Sequence, residues 1–161
     1  MNTKQLWTAL TLNPSTNYYF GGIFSKDTLT DIHKKPQLII CNTDPSNKPG
    51  EHWVLFFFNE NGVDFYDSLG RDIQYYGNEF VNFVKRFSKQ VTQCIERTQP
   101  ENSPLCGEYC LYYAYKKCLG YSMNEIVNSM NVSSVVLDLV KQKFFVCEQY
   151  DSCFLQKCVS C

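Results

Sequence analysis

The longest apolar run free of tyrosine and cysteine in this sequence is Trp53 to Phe58, six residues. A membrane-spanning helix needs roughly 20, so none is expected. Charge of one sign is also missing. Fifteen basic residues face sixteen acidic ones, leaving a net charge of −1, and a bulk electrostatic attraction to nucleic acid has no support. The N-terminal residues, Met1 to Trp7, carry no long apolar stretch and no small-residue cleavage site, so no secretory signal is visible. Internal repeats, low-complexity tracts and long linkers are absent too, which points to one domain for a chain of 161 residues. Histidine is scarce, with only His33 and His52.

The residues present describe a globular chain. It is 44% hydrophobic, 16% aromatic and 19% charged, which argues against disorder. At this length a fold buries roughly 70% of the surface its unfolded chain exposes, enough for one real core. Cysteine is abundant: nine residues, which cannot all pair with one another. Without a secretory signal, a reducing, intracellular compartment is expected rather than a disulfide scaffold. The thiols then divide among core filler, metal ligands and a nucleophile.

Thr3 is placed to cap a short N-terminal helix carrying Leu6, Trp7 and Leu10, and Asn13-Pro14-Ser15 stops it. Tyr18 to Phe24 is an aromatic stretch broken by Gly21-Gly22. Gln37 to Asn42 reads as a strand, and Asp44 to Gly50 as a loop. Trp53 to Phe58 and Val63 to Asp67 form a hairpin around the turn Asn59-Glu60-Asn61-Gly62. Phe80, Phe83, Val84, Phe87 and Val91 recur at helical spacing and predict an amphipathic helix. Cys94 and Ile95 are expected in a further short strand. Cys106 to Leu119 reads as a helix apolar nearly all round, hence buried on most sides, with Gly120 as its C-terminal cap. Two short helices follow, one capped near Ser122 and one near Ser133. The last residues, Cys147 to Cys161, show no clear period and are separated as a Cys-rich tail from a domain over 1–146. The fold class is α+β, a small mixed, largely antiparallel sheet with helices packed on it and a buried central helix opened by Cys106.

Cys106 follows Pro104 at the start of that helix. There the helix dipole and unpaired backbone N–H groups favour a thiolate. A small apolar core residue is the competing reading, as it is for Cys110 and Cys118 deeper in the helix. His52 stands at the mouth of an apolar strand, where a base in a cleft belongs. His33 lies in a charged connecting segment and reads as a surface residue. With an even number of residues in the hairpin loop, His52 and Asp67 share a face and Asp64 points the other way; a three-residue loop reverses this. A carboxylate beside the imidazole would fix its tautomer and stabilise imidazolium. The run Asp67-Ser68-Leu69-Gly70 also reads as a plain turn. Gln99, seven residues before Cys106, offers an amide N–H for an oxyanion hole together with the Cys106 backbone N–H.

The order His52, Asp67, Gln99, Cys106 resembles that of the adenain family, the adenovirus maturation protease and its relatives in Polinton/Maverick virus-like transposons. The resemblance runs from about Tyr18 to Phe145. It rests on Tyr19-Phe20-Gly21-Gly22-Ile23-Phe24, Gly50-Glu51-His52-Trp53, Phe65 to Gly70, and Gln99 through Asn102-Ser103-Pro104-Leu105-Cys106-Gly107. It implies a cysteine endopeptidase with Cys106 as nucleophile, His52 as base, Asp67 orienting His52, Gln99 and the Cys106 N–H as oxyanion donors, and Trp53 beside the substrate cleft. Where adenain has glutamate, this chain has Asp67, as proteases of ubiquitin-like proteins do. The resemblance further implies capsid or core precursors as substrates, no cofactor for the chemistry, a monomer, and a place in the virion and host nucleus. Family members are assisted by DNA and by a viral peptide that forms a disulfide. The near-neutral charge weighs against DNA, and Cys94, in Gln93-Cys94-Ile95, is the matching candidate for the peptide disulfide. Cys147, Cys153, Cys158 and Cys161 include one pair at zinc spacing with no histidine near, so no metal site is assigned. Competing readings are a protease of ubiquitin-like proteins, an acetyltransferase using the same four residues, and a non-catalytic module.

Overall fold

Strand residues from Leu38 to Phe65 alternate between two separate cores, and that alternation positions everything else. The structure, a computed structural model, describes residues 1–145. The tail 147–161, with its four cysteines and the domain boundary at 146, lies outside the described residues.

Five strands, β1 (Phe20–Ser25), β2 (Gln37–Asn42), β3 (Trp53–Phe58), β4 (Val63–Tyr66) and β5 (Val91–Gln93), lie side by side in sequence order. β2, β3 and β4 pair antiparallel, while β1 and β5 add to the outside in parallel. On one face Leu38, Ile40, Leu55, Phe57 and Tyr66 join a core with α1 (Thr3–Leu12), α3 (Cys106–Cys118), α4 (Met123–Asn128) and α5 (Ser133–Val140). On the other face Ile39, Val54, Phe56, Phe58, Val63 and Phe65 meet Phe80, Phe83 and Val84 of α2 (Asn78–Phe87). β2, β3 and β4 are therefore buried throughout, which is why they read as continuous apolar runs. The architecture is the α+β sheet-and-helix class expected.

Several local readings change. Asn2, not Thr3, caps α1: its side chain accepts from the Gln5 N–H and the Gln5 side chain returns a bond to the Asn2 N–H. α2 ends at Phe87, so Val91 leaves the helix and starts β5, exposed rather than packed. The cause is a turn over Ser88 to Gln90, whose Gln90 carbonyl accepts from the Val63 N–H and draws the chain onto β4. Cys94 and Ile95 follow β5 instead of forming it. α4 carries the expected cap at Ser122, a reciprocal one with Glu125, whereas α5 begins at Ser133 behind Val132 with no side-chain cap. Gly120, just past α3, adopts φ +94°, the left-handed geometry a helix end asks of glycine.

Candidate active site

The hairpin turn sets the first geometry. Phe58 pairs with Val63 and Leu55 with Tyr66, the register of a four-residue loop. One residue beyond each strand, His52 and Asp67 come together on the α2 side, and Nε2 of His52 stands 2.6 Å from Oδ1 of Asp67. Asp64 points to the opposite face, where it bonds Tyr113 and Lys117. Asp67 is fully buried, and its oxygens also accept from the Leu69 N–H, the Arg71 N–H and the Tyr76 hydroxyl, at 2.9, 3.1 and 2.7 Å. Burial alone would raise this carboxyl; the bond and charge of His52, then Tyr76 and Leu69, outweigh it and hold the pKa below its ordinary value.

With Nε2 committed to Asp67, Nδ1 is the ring nitrogen left for Cys106, whose pKa is lowered chiefly by the neighbouring His52. Cys106 opens α3, and Leu105 before it provides no side-chain cap. The free N–H groups of the first turn therefore remain available at the sulfur. Burial pushes the Cys106 thiol up, but the bond to His52 and a backbone bond at Trp53 prevail and lower it. Burial likewise opposes the charged form of His52. The bonds to Asp67 and Cys106 override it and raise the imidazole from 6.5 to about 9. Opposite shifts in the two groups favour a thiolate–imidazolium pair. By contrast, burial raises the thiols of Cys41 and Cys110, and pushes Cys118 up to about 12.

The helix reaches this point because its flank is tied to β3. Cys110 donates to the Trp53 carbonyl at 3.5 Å, and the Trp53 indole N–H donates to the Met1 carbonyl at 3.1 Å. Gly107 sits under the Met1 side chain, where an added Cβ would come within 2.8 Å. Gln99 arrives on the loop from β5, pinned by its own N–H to the Ser68 carbonyl at 2.9 Å. That loop passes so close to Gly70 that a Cβ there would lie 2.7 Å from the Arg97 nitrogen. His52, Trp53, Gln99 and Cys106 thus share the wall of one cleft of about 700 Å³, bordered by Met1–Thr3, the 45–51 loop, Arg71, Arg97 and residues 101–104.

Cys94 is not part of that wall; its sulfur accepts from the Glu96 N–H at 3.4 Å. His33 is exposed in the connecting segment. Two residues near the centre escape a reading by spacing. Tyr76 bonds Asp67 and stacks its ring on His52, centroids 6.3 Å apart; it belongs to a 3-10 turn whose path the sequence does not announce. Ser68 is buried and bonds Gln99, although its sequence context says only turn.

The fold is shared with the ASFV pS273R protease. One crystal structure of that protease superimposes with a TM-score of 0.53 at 17% identity, over 88% of this chain and 64% of that one. Its selenomethionine form gives 0.52 at 18%, over 68% and 44%. This chain has that protease's fold. It spans about half to two thirds of the length of those chains. No family model matches the sequence, and no curated protein matches it either.

Proposed function

We propose that the protein is a cysteine endopeptidase acting on viral or virus-like structural precursor proteins. The observation that carries the chemistry is the Cys106 thiol at a helix N-terminus, on the wall of one cleft with a histidine whose Nε2 is held by a buried carboxylate. The substrate class is supported by the sequence resemblance to the adenain family and by the fold shared with a viral protease.

In this reading the Cys106 thiolate attacks a peptide carbonyl carbon, forming a C–S bond and pushing the carbonyl electron pair onto oxygen. The Cys106 backbone N–H and the Nε2 amide of Gln99 stabilise that oxyanion. As the C–N bond breaks, the proton on His52 Nδ1 passes to the departing amine. Water then attacks the thioester and gives its proton back to His52, and the thiolate leaves. Asp67 keeps the ring oriented and the imidazolium stable throughout. These groups carry every step without a metal or organic cofactor.

Iodoacetamide labelling of the reduced protein at about pH 6 tests the reading, since ordinary thiols with pKa near 8.5 are almost unreactive there. Mass mapping over the nine cysteines is expected to find Cys106 alkylated selectively, and His52→Ala to abolish that selectivity. Uniform slow labelling of all thiols in the wild type would remove the nucleophile from the proposal.

A further inference from the structure

A glutamine amide has two ends of equal size and opposite polarity, and only the N–H end can stabilise an oxyanion. We propose that Ser68 is the positioning residue that turns the N–H end of Gln99 toward the cleft; this rests on the protease reading above. The Ser68 hydroxyl donates to Gln99 Oε1 at 2.8 Å. At the other end Gln99 Nε2 donates to the Ser103 carbonyl, which can only accept. The two partners specify the same orientation. A flipped amide would set Oε1 against the Ser103 carbonyl, acceptor facing acceptor. With one Nε2 proton on Ser103, the second is free for an oxyanion.

Ser68 is built for this. It has no exposed surface, and its carbonyl accepts from the N–H groups of Thr98 and Gln99, at 3.0 and 2.9 Å. The Thr98 hydroxyl, a hydrogen-bond partner of Tyr66 at 2.7 Å, adds a bond to the same carbonyl at 3.3 Å. The loop carrying Gln99 is therefore docked on Ser68 through backbone and side chain at once. Gln99 is itself only 3% exposed. Removing the hydroxyl leaves Oε1 buried without a donor and the amide held by the Ser103 carbonyl alone, so its placement loosens. Consecutive residues at the exit of β4 thus serve two separate tasks, Asp67 the base and Ser68 the oxyanion donor. Their loss should leave different signatures.

Two reactions separate those tasks. Alkylation by iodoacetamide at pH 6 needs the thiolate and forms no oxyanion. Acylation by 4-nitrophenyl acetate needs both, and its burst of nitrophenolate is easily followed. Ser68→Ala is expected to slow acylation about tenfold or more while alkylation stays within roughly twofold of wild type. The pH profile of acylation should keep its shape. Ser68→Thr, which keeps a hydroxyl, should restore most of the rate, and Ser68→Ala with Gln99→Ala should be no slower than Gln99→Ala alone. Wild-type acylation in Ser68→Ala, additive losses in the double variant, or joint loss of acylation and alkylation would each overturn the assignment. The last would make Ser68 a residue of the fold. In the unaltered protein labelled with ¹⁵N-glutamine, the Gln99 side-chain protons should show a nuclear Overhauser contact to Ser103 rather than to Ser68; the reverse overturns it without any substitution. If wild-type protein shows neither acylation nor selective alkylation, the protease reading fails, and the spectrum still decides the orientation of Gln99.

Discussion

Asp67 accepts four hydrogen bonds in a site closed to solvent, from His52, Leu69, Arg71 and Tyr76. An asparagine there keeps the shape but turns one of the two oxygens into a donor that faces other donors. Asp67→Asn is expected to fold with a loss of about 1–3 kcal/mol and to lower the acylation rate on the order of 10⁴-fold, because the imidazole loses its charge and its tautomer. Burst kinetics with 4-nitrophenyl acetate, alongside a circular-dichroism melt, reads both effects. A rate near wild type would take the orienting role away from Asp67. At this scale a good part of the site was legible: hairpin arithmetic puts Asp67 on the face of His52 because strand side chains alternate strictly. Tyr76 and Ser68 were not legible. Each works through a contact with a residue that is distant along the chain or buried by a loop, and no periodicity marks such a contact.

At the scale of elements, α3 is held at both ends. Its start is tied to β3 through Cys110 and Trp53, and its end to β4 by Asp64, which receives the Lys117 ammonium at 2.6 Å and the Tyr113 hydroxyl at 3.0 Å. Tyr113 also stacks flat on Tyr66, centroids 4.3 Å apart. Both charged groups are largely withdrawn from water, so removing one strands the other. Lys117→Met should cost about 3 kcal/mol, while adding Asp64→Asn should recover part of that loss. Urea denaturation of the two variants is the check, and a Lys117→Met protein as stable as wild type would mean the pair contributes nothing. The elements themselves were readable where burial is two-sided or periodicity sustained, as in β3 and α3. They were misread where pairing competes with helix propagation. Val91 keeps helical spacing with Phe87, yet the Gln90 carbonyl reaches Val63 and the chain becomes strand. The cap at Asn2 escaped for a simpler reason, since either Asn2 or Thr3 could cap a helix and the choice lies in the reciprocal bond with Gln5.

For the whole molecule, the paired shifts at His52 and Cys106 govern how stability responds to pH. His52 is raised from 6.5 to about 9, so its contribution is full below 6.5 and is lost as pH rises through 9. Cys106 is lowered from 9.0, so its contribution is full above 9 and is lost as pH falls through the folded value. Above the folded value of Cys106 and below 9 the folded pair holds one proton, on nitrogen, and between 6.5 and 9.0 the unfolded pair also holds one, on sulfur. The two slopes cancel. Wild-type stability is expected to be nearly flat across that window. Cys106→Ser removes one slope, and its stability should then fall as pH rises, by up to about 1.4 kcal/mol per unit. Chemical denaturation at pH 6.5, 7.5 and 8.5 measures it, and a flat profile in Cys106→Ser would show that Asp67 alone does not keep His52 raised.

The order of the strands also has a consequence in time. β1 to β5 lie side by side as they occur along the chain, so a chain emerging from a ribosome can lay them down one after another. His52 and Asp67 flank a hairpin and can meet early. Cys106, the third member of the proposed site, is the first residue of α3, which follows the whole sheet. Until that helix docks, the nascent polypeptide carries His52 and Asp67 with no thiol beside them, and the three side chains come together only after the whole sheet has been made.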